Sequence, residues 1–182
     1  MKLFKMADAH RVRVDPIERI QEEYQAWKRY HPKDFIANPS KKEDGSTDWL
    51  TWKCGIPGPE KSPWEGGLYP MQMEFPTDYP YSPPKCIFTP ALLHPNVFPS
   101  GTVSLSLIDK NKGWKPQVTM KQVLLGIQLL LKDPNFHEPA QAEAFVIHSQ
   151  SSLDYENKVK ELAKQMDPAR SNILQNLIPS AS

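Results

Sequence analysis

The stretch His94-Pro95-Asn96-Val97-Phe98-Pro99-Ser100-Gly101-Thr102-Val103-Ser104 lies inside a long segment, residues 76–115, in which we expect little regular structure. The chain has 19 prolines, and they cluster in the first half of this segment. Proline restricts its own backbone and that of the residue before it, which favours extended chain and turns. Long irregular segments inside a compact domain are uncommon and usually carry function. The stretch therefore predicts a functional site on a long loop.

Length and charge limit the class of protein. A chain of 182 residues is about one domain. A formal net charge of +1 argues against binding to nucleic acid or membrane through bulk charge. No apolar run approaches the roughly 20 residues of a membrane helix, and we expect an intracellular protein. Cys54 and Cys86 lack metal-ligand spacing, so we predict two reduced, buried thiols and no metal site.

Helix and strand signals alternate before the long loop. Asp15 followed by Pro16 is typical of a capped helix start. Apolar and polar side chains alternate over residues 50–56 and again over 69–75, which predicts two strands with one buried face each. Shorter strands are expected near residues 35–38 and 86–89. The four strands together predict an antiparallel meander.

Helices resume after the loop. Thr119 and Gln122 form a capping-box pattern before an apolar run, which predicts a central helix. Two further helices are expected over residues 139–149 and 153–166. The order predicts an α+β fold with an N-terminal helix, a four-stranded meander, a central helix and two C-terminal helices.

The domain boundaries follow from the same patterns. We expect a flexible arm over residues 1–14, a catalytic domain over 15–168 and a tail over 169–182. The tail holds a short apolar segment, residues 173–178. This segment is interpreted as a short helix that docks either on the domain or on a partner.

Three blocks of sequence carry a resemblance to a known family. They are Pro63-Trp64-Glu65-Gly66-Gly67, then Tyr79-Pro80-Tyr81-Ser82-Pro83-Pro84-Lys85 with the following His94-Pro95-Asn96, and finally Pro99-Ser100-Gly101-Thr102-Val103 with Pro139-Ala140-Gln141-Ala142-Glu143-Ala144. In this order and spacing they resemble the ubiquitin-conjugating enzyme family over roughly residues 17–166. The last two segments are similar to its SUMO-conjugating branch.

The resemblance implies a fold, a reaction and a set of partners. The fold is the ubiquitin-conjugating fold. An activating enzyme delivers SUMO as a thioester to a cysteine of the conjugating enzyme, which passes it to a substrate lysine as an isopeptide. The implied partners are SUMO, its activating enzyme, SUMO ligases and substrates that bear a hydrophobic–Lys–x–acid motif. The resemblance implies no cofactor, no nucleic acid, no membrane, a monomeric state, and a location in the nucleus and cytoplasm.

The resemblance also assigns the catalytic positions. Ser104 stands where the family has its nucleophilic cysteine. Asn96 matches the residue that stabilises the negative charge developing on the carbonyl oxygen, although its amide is equally suited to holding the loop together through backbone hydrogen bonds. Glu138 stands where the SUMO branch has an aspartate that positions the attacking lysine.

The same comparison assigns binding positions. Phe98 replaces a tyrosine of the SUMO branch and keeps an apolar wall. The positions that would meet the acidic residue of the substrate motif are Lys85, Ser100 and Thr102. The floor for its apolar side chain would consist of Pro139, Ala140 and Ala142. The basic positions that would contact the activating enzyme and SUMO are Lys28, Arg29 and His31.

Ser104 leaves two interpretations open. A serine hydroxyl stays protonated unless a base activates it, whereas a thiol with a pKa near 8.5 yields some thiolate at neutral pH. The serine is either an engineered replacement that blocks turnover or traps an oxyester, or the mark of a natural binding module without catalysis. The retention of Asn96, Lys85, Thr102 and Glu138 favours the first interpretation.

Overall fold

The computed structural model describes residues 13–178, so the predicted arm lies outside the described residues apart from Arg13 and Val14. Helix α1 spans Pro16–Arg29, and the Asp15 side chain accepts a hydrogen bond of 2.8 Å from the Ile17 N–H. This confirms the predicted cap. The helix ends before Pro32 because Tyr30 already has extended backbone angles, with φ −155° and ψ 108°.

The four predicted strands form one antiparallel sheet in the order β1-β2-β3-β4. Their bounds are Ile36–Lys41 for β1, Thr47–Pro57 for β2, Leu68–Glu74 for β3 and Lys85–Phe88 for β4. Trp52 and Ile56 of β2 point into the core and are fully buried, whereas Lys53 between them is exposed. Burial around Trp52 therefore follows the predicted period of two, whereas Gly55 on the opposite face is buried as well.

The central helix α2 spans Met120–Lys132 and begins with the predicted capping box of Thr119 and Gln122. Helix α3 spans Ala142–Gln150 and α4 spans Ser152–Gln165. The prediction that α3 begins at residue 139 is wrong. Gln141 has an extended backbone, and the N–H groups of Ala140 and Gln141 donate to the Pro95 carbonyl at 2.7 and 3.3 Å instead of joining a helix.

A short helix, α5, spans Ile173–Leu177 and packs on the outer face of the sheet. Ile173 and Leu177 are buried there against Leu68 of β3. A methyl group added at Gly55 of β2 would lie 2.9 Å from Leu177, so the sheet and the helix are in direct contact. Of the two open interpretations of the tail, the structure shows docking on the domain.

No helix in residues 13–178 is long and apolar enough to cross a membrane. Within the same range, no group of three or more His, Cys, Asp or Glu side chains is placed to hold a metal ion.

Candidate active site

The long loop returns to the sheet just before Ser104. The Phe88 N–H donates to the Gly101 carbonyl at 2.8 Å, and the Val103 N–H donates to the Cys86 carbonyl at 2.9 Å. These bonds lay residues 101–103 along the free edge of β4. Gly101 has φ +89°, a left-handed conformation that favours glycine. Backbone hydrogen bonds therefore hold the loop to β4 at Gly101 and at Val103, just before Ser104.

His94 organises the first part of the loop from the inside. It is fully buried, its Nδ1 accepts a 3.0 Å hydrogen bond from the Asn96 N–H, and its Nε2 lies 2.9 Å from the Leu130 carbonyl. These partners require the tautomer with hydrogen on Nε2. Burial lowers the pKa of His94 to about 4, so the ring is neutral at physiological pH. His94 holds the loop and is not placed to move protons at Ser104.

Asn96 joins three parts of the site. Its main-chain carbonyl accepts a 2.8 Å hydrogen bond from the Ser104 N–H. Its side-chain Nδ2 donates to the Asn135 carbonyl at 2.7 Å, and its Oδ1 accepts from the Asn135 N–H at 2.7 Å. The loop-holding role considered for Asn96 is thus visible in the structure. Since Nδ2 carries two hydrogens, a second N–H remains for another acceptor.

The predicted catalytic positions share one cleft with a volume of about 440 Å³. Its lining includes Asn96, Phe98, Ser104 and Glu138. These residues come from two segments that are far apart in the sequence, the long loop and the connection between α2 and α3. The geometry brings together a hydroxyl, an amide and a carboxylate in one cleft.

The cleft also contains an ion pair that the sequence did not reveal. Lys112 Nζ lies 2.5 Å from Glu138 Oε2. The hydrogen bond to Glu138 and its negative charge raise the pKa of Lys112 above the usual range for lysine. Lys112 belongs to a polar loop over residues 109–113, in which local sequence gives no sign of its partner.

Lys85, Ser100 and Thr102 lie beside the cleft on the outer face of the sheet edge, and not in the cleft lining. Thr102 is paired with Ile87, which lies on the same face of β4 as Lys85 because side chains alternate along a strand. The Ser100 hydroxyl donates to the Thr102 hydroxyl at 2.9 Å. An ammonium group and two hydroxyls thus lie along one exposed edge.

The predicted substrate floor is fixed against the loop. The buried Gln141 amide donates to the carbonyls of Leu92 and Val97 at 2.9 and 3.0 Å, which holds Pro139, Ala140 and Ala142 beside the long loop. Ala142 and Pro99 line a neighbouring apolar groove of about 780 Å³. Phe98 lines the cleft and Pro99 lines the groove, so the two concave surfaces adjoin. No local pattern in the sequence indicates this positioning role of Gln141.

Lys28, Arg29 and His31 are exposed at the end of α1 and form a surface of their own. None of them lines the cleft. His31 stacks on Trp27 with a centroid separation of 5.1 Å, and the Lys28 ammonium lies 5.0 Å from the Tyr24 ring centroid.

Among the described residues that line the cleft with Ser104 there is no histidine. Cys54 and Cys86 are free thiols in the core, as predicted, and burial raises the pKa of Cys54 to about 12. A buried protonated thiol is not a nucleophile. Neither core cysteine is therefore placed to act as a nucleophile in the cleft.

Comparison with known proteins identifies the family. The family model for "Ubiquitin-conjugating enzyme" matches residues 19–163. The chain belongs to the ubiquitin-conjugating enzyme family, and its helix–meander–helix order is the fold of that family.

Curated relatives come from distant organisms. The chain is 52% identical over 145 residues to the SUMO-conjugating enzyme UBC9 of Caenorhabditis elegans, covering 80% of this chain and 87% of that protein. It is 49% identical over 150 residues to the SUMO-conjugating enzyme ubc9 of Dictyostelium discoideum, covering 82% and 94%. It is 44% identical over 147 residues to the SUMO-conjugating enzyme SCE1 of Arabidopsis thaliana, covering 81% and 92%. The resemblance stated from the sequence is confirmed at the level of the family and its SUMO-conjugating members.

Proposed function

We propose that this chain is the scaffold of a SUMO-conjugating enzyme, which receives SUMO from an activating enzyme and directs it to substrate lysines. The relatives support the modifier, since all three are named as SUMO-conjugating enzymes. The resemblance further supports SUMO ligases as partners, a monomeric state, and action in the nucleus and cytoplasm.

The observation that carries the proposal is the single cleft shared by Ser104, Asn96 and Glu138. An acyl group on residue 104 would enter the cleft that Asn96 also lines, and the second N–H of Asn96 is our candidate donor to the developing oxyanion. An amine that enters the cleft meets the Glu138 carboxylate. Holding the amine and the acyl carbon together supplies much of the catalytic effect in such a transfer.

The outer edge supports a substrate with an acidic residue two positions after its acceptor lysine. The Lys85 ammonium and the hydroxyls of Ser100 and Thr102 suit a carboxylate, because charge-assisted hydrogen bonds favour such pairs. The adjoining apolar groove beside Ala142 suits a hydrophobic side chain on the other side of the lysine. This arrangement favours the hydrophobic–Lys–x–acid motif.

Ser104 makes the chain itself an inactive or oxyester-trapping form in this proposal. The hydroxyl has no histidine in the described cleft lining, which does include Asn96 and Glu138. The alternative is a natural binding module that holds SUMO or ubiquitin without transferring it. An inactivated enzyme and a natural binding module would both have this arrangement of residues. Experiment separates the two.

The test restores the sulfur. We expect Ser104→Cys, incubated with SUMO, its activating enzyme and ATP, to form a conjugate that thiol reductants cleave. Ser106→Cys is the matched control, because Ser106 lines the same cleft two positions further along. We expect this variant to form no conjugate with SUMO. A folded Ser104→Cys protein that forms no such conjugate would favour the binding-module alternative.

A binding titration then separates the modifiers. We expect the unaltered chain to bind SUMO more tightly than ubiquitin. Preference for ubiquitin would overturn the SUMO assignment, and binding to neither would point to a purely structural role for the fold.

A further inference from the structure

We propose that Lys112 competes with the acceptor lysine for the Glu138 carboxylate, and so sets the amine concentration at which transfer is half-maximal. The proposal rests on the proposed function and deepens it, because it concerns the acceptor side of the same cleft. Lys112 is thus a specificity-determining residue and not a nucleophile.

The geometry places Lys112 where an incoming amine would bind. The cleft lining contains the two carboxylates of Asp109 and Glu138 together with Ser104. The Asp109 carboxylate accepts a 2.8 Å hydrogen bond from the Asn111 N–H and holds its own turn. Glu138 instead faces a side-chain cation, since its Oε2 lies 2.5 Å from Lys112 Nζ. The carboxylate suited to an acceptor ammonium is therefore already occupied by one.

A second ammonium at Glu138 meets repulsion from the first. A carboxylate has lone pairs for more than one donor, but two like charges around it disfavour joint binding. An acceptor lysine arrives protonated, because free lysine has a pKa near 10.4. It must displace Lys112 or share the carboxylate at a cost in affinity.

Lys112 is a persistent competitor for the carboxylate. Its pairing with Glu138 favours the charged form of the amine. The side chains of Lys112 and Glu138 are 47% and 64% exposed. Solvent screens pairs of this kind, so we expect a modest effect, about 1.5- to 5-fold in apparent affinity.

Lys110 offers a matched control on the same loop. Its ammonium donates to the Ser82 hydroxyl at 2.8 Å and lies 4.0 Å from Asp78. It therefore brings an equal charge to the cleft rim without a bond to Glu138. Any effect that Lys110→Ala shares with Lys112→Ala would be an effect of net charge alone.

The experiment follows discharge of the SUMO thioester on Ser104→Cys to free L-lysine over a range of lysine concentrations, after the activating enzyme has been stopped. We expect Lys112→Ala, added to Ser104→Cys, to lower the apparent KM for lysine by about 1.5- to 5-fold with little change in the maximal rate. Lys112→Arg keeps a cation at Glu138 and should retain the original KM. Lys110→Ala should leave KM within 1.5-fold.

A coupled variant identifies the carboxylate. Glu138→Gln should raise KM, and Lys112→Ala should then give no further decrease. An unchanged or raised KM in Lys112→Ala, or an equal decrease in Lys110→Ala, would overturn the inference. Failure of the proposed function looks different, because Ser104→Cys would then form no thioester to discharge.

Discussion

The side chain of Asn96 and the main chain of Asn135 exchange two hydrogen bonds of 2.7 Å, which tie the long loop to the connection after α2. Asn96 also accepts the Ser104 N–H through its carbonyl. The position of residue 104 relative to Glu138 therefore depends on one buried amide.

Replacement of this amide should cost both stability and rate. We expect Asn96→Ala to lower the free energy of unfolding by about 1–2 kcal/mol, because two net hydrogen bonds are lost while Asn135 gains water. In the Ser104→Cys background, discharge should slow by about 100-fold or more if the second N–H serves the oxyanion. Urea unfolding and single-turnover discharge measure the two effects. Asn111→Ala, in the exposed loop after Ser104, is the control. If Asn96→Ala discharged at the same rate as this control, the role of Asn96 would be limited to holding the long loop.

The buried His94 predicts a loss of stability in mild acid. Its pKa is lowered from 6.5 to about 4 by burial, so the unfolded chain binds a proton at a pH where the folded chain does not. The penalty is absent above pH 6.5 and grows as the pH falls towards 4. Between pH 7.5 and pH 5 we expect a loss of about 2 kcal/mol from this group.

Urea titrations at a series of pH values measure this loss. His94→Gln should show a flatter pH dependence than the parent, because the titrating group is gone. The exposed His137 is the matched control, and His137→Ala should keep the original slope. Equal pH dependence in the parent and in His94→Gln would contradict the assignment.

Gly101 should tolerate no side chain. Its φ is +89°, and an added methyl group would overlap the carbonyl oxygen of Phe88, a rigid backbone atom on β4. We expect Gly101→Ala to lower the free energy of unfolding by about 3 kcal/mol or more, from strain and overlap together. Gly45 has φ +82° with nothing near the added carbon, so Gly45→Ala should cost only about 1 kcal/mol. If both variants lowered the melting temperature equally, the contact of Gly101 with β4 would be looser than the structure shows.

Helix α5 should be held by its two buried side chains. Leu177→Ala removes apolar contact with Gly55 and Leu68, and we expect hydrogen-exchange protection in α5 to fall by 10-fold or more. Leu174→Ala, at a position 38% exposed, should leave protection nearly unchanged. Similar exchange in both variants would mean that the outer-face contact contributes little.

The parts of the fold that local sequence could predict are those governed by local chemistry. Asp15 and the pair of Thr119 and Gln122 satisfy N–H groups within one turn of their helices, and alternation around Trp52 reports a buried strand face. The start of α3 could not be predicted. The Pro95 carbonyl, distant in sequence, holds Ala140 and Gln141 outside the helix.

The site likewise contains residues that the sequence indicates and contacts that it does not. The segment that ends at Ser104 indicated the cleft through its resemblance to a family, and Glu138 was placed by the same comparison. The partner of Lys112 has no local signature, since an exposed lysine in a charged loop is compatible with many contacts. The bond between Asn96 and Asn135 likewise joins residues that only the folded loop brings together.

The most direct test of the central claim is transfer from the SUMO thioester of Ser104→Cys to a peptide that carries a hydrophobic–Lys–x–Glu sequence. The account predicts an isopeptide at the peptide lysine by mass spectrometry, with slower transfer when the glutamate is replaced by alanine or when Lys85→Ala is added. Loss of the thioester by hydrolysis alone, at the same rate with and without peptide, would contradict a cleft built to bring an amine to residue 104.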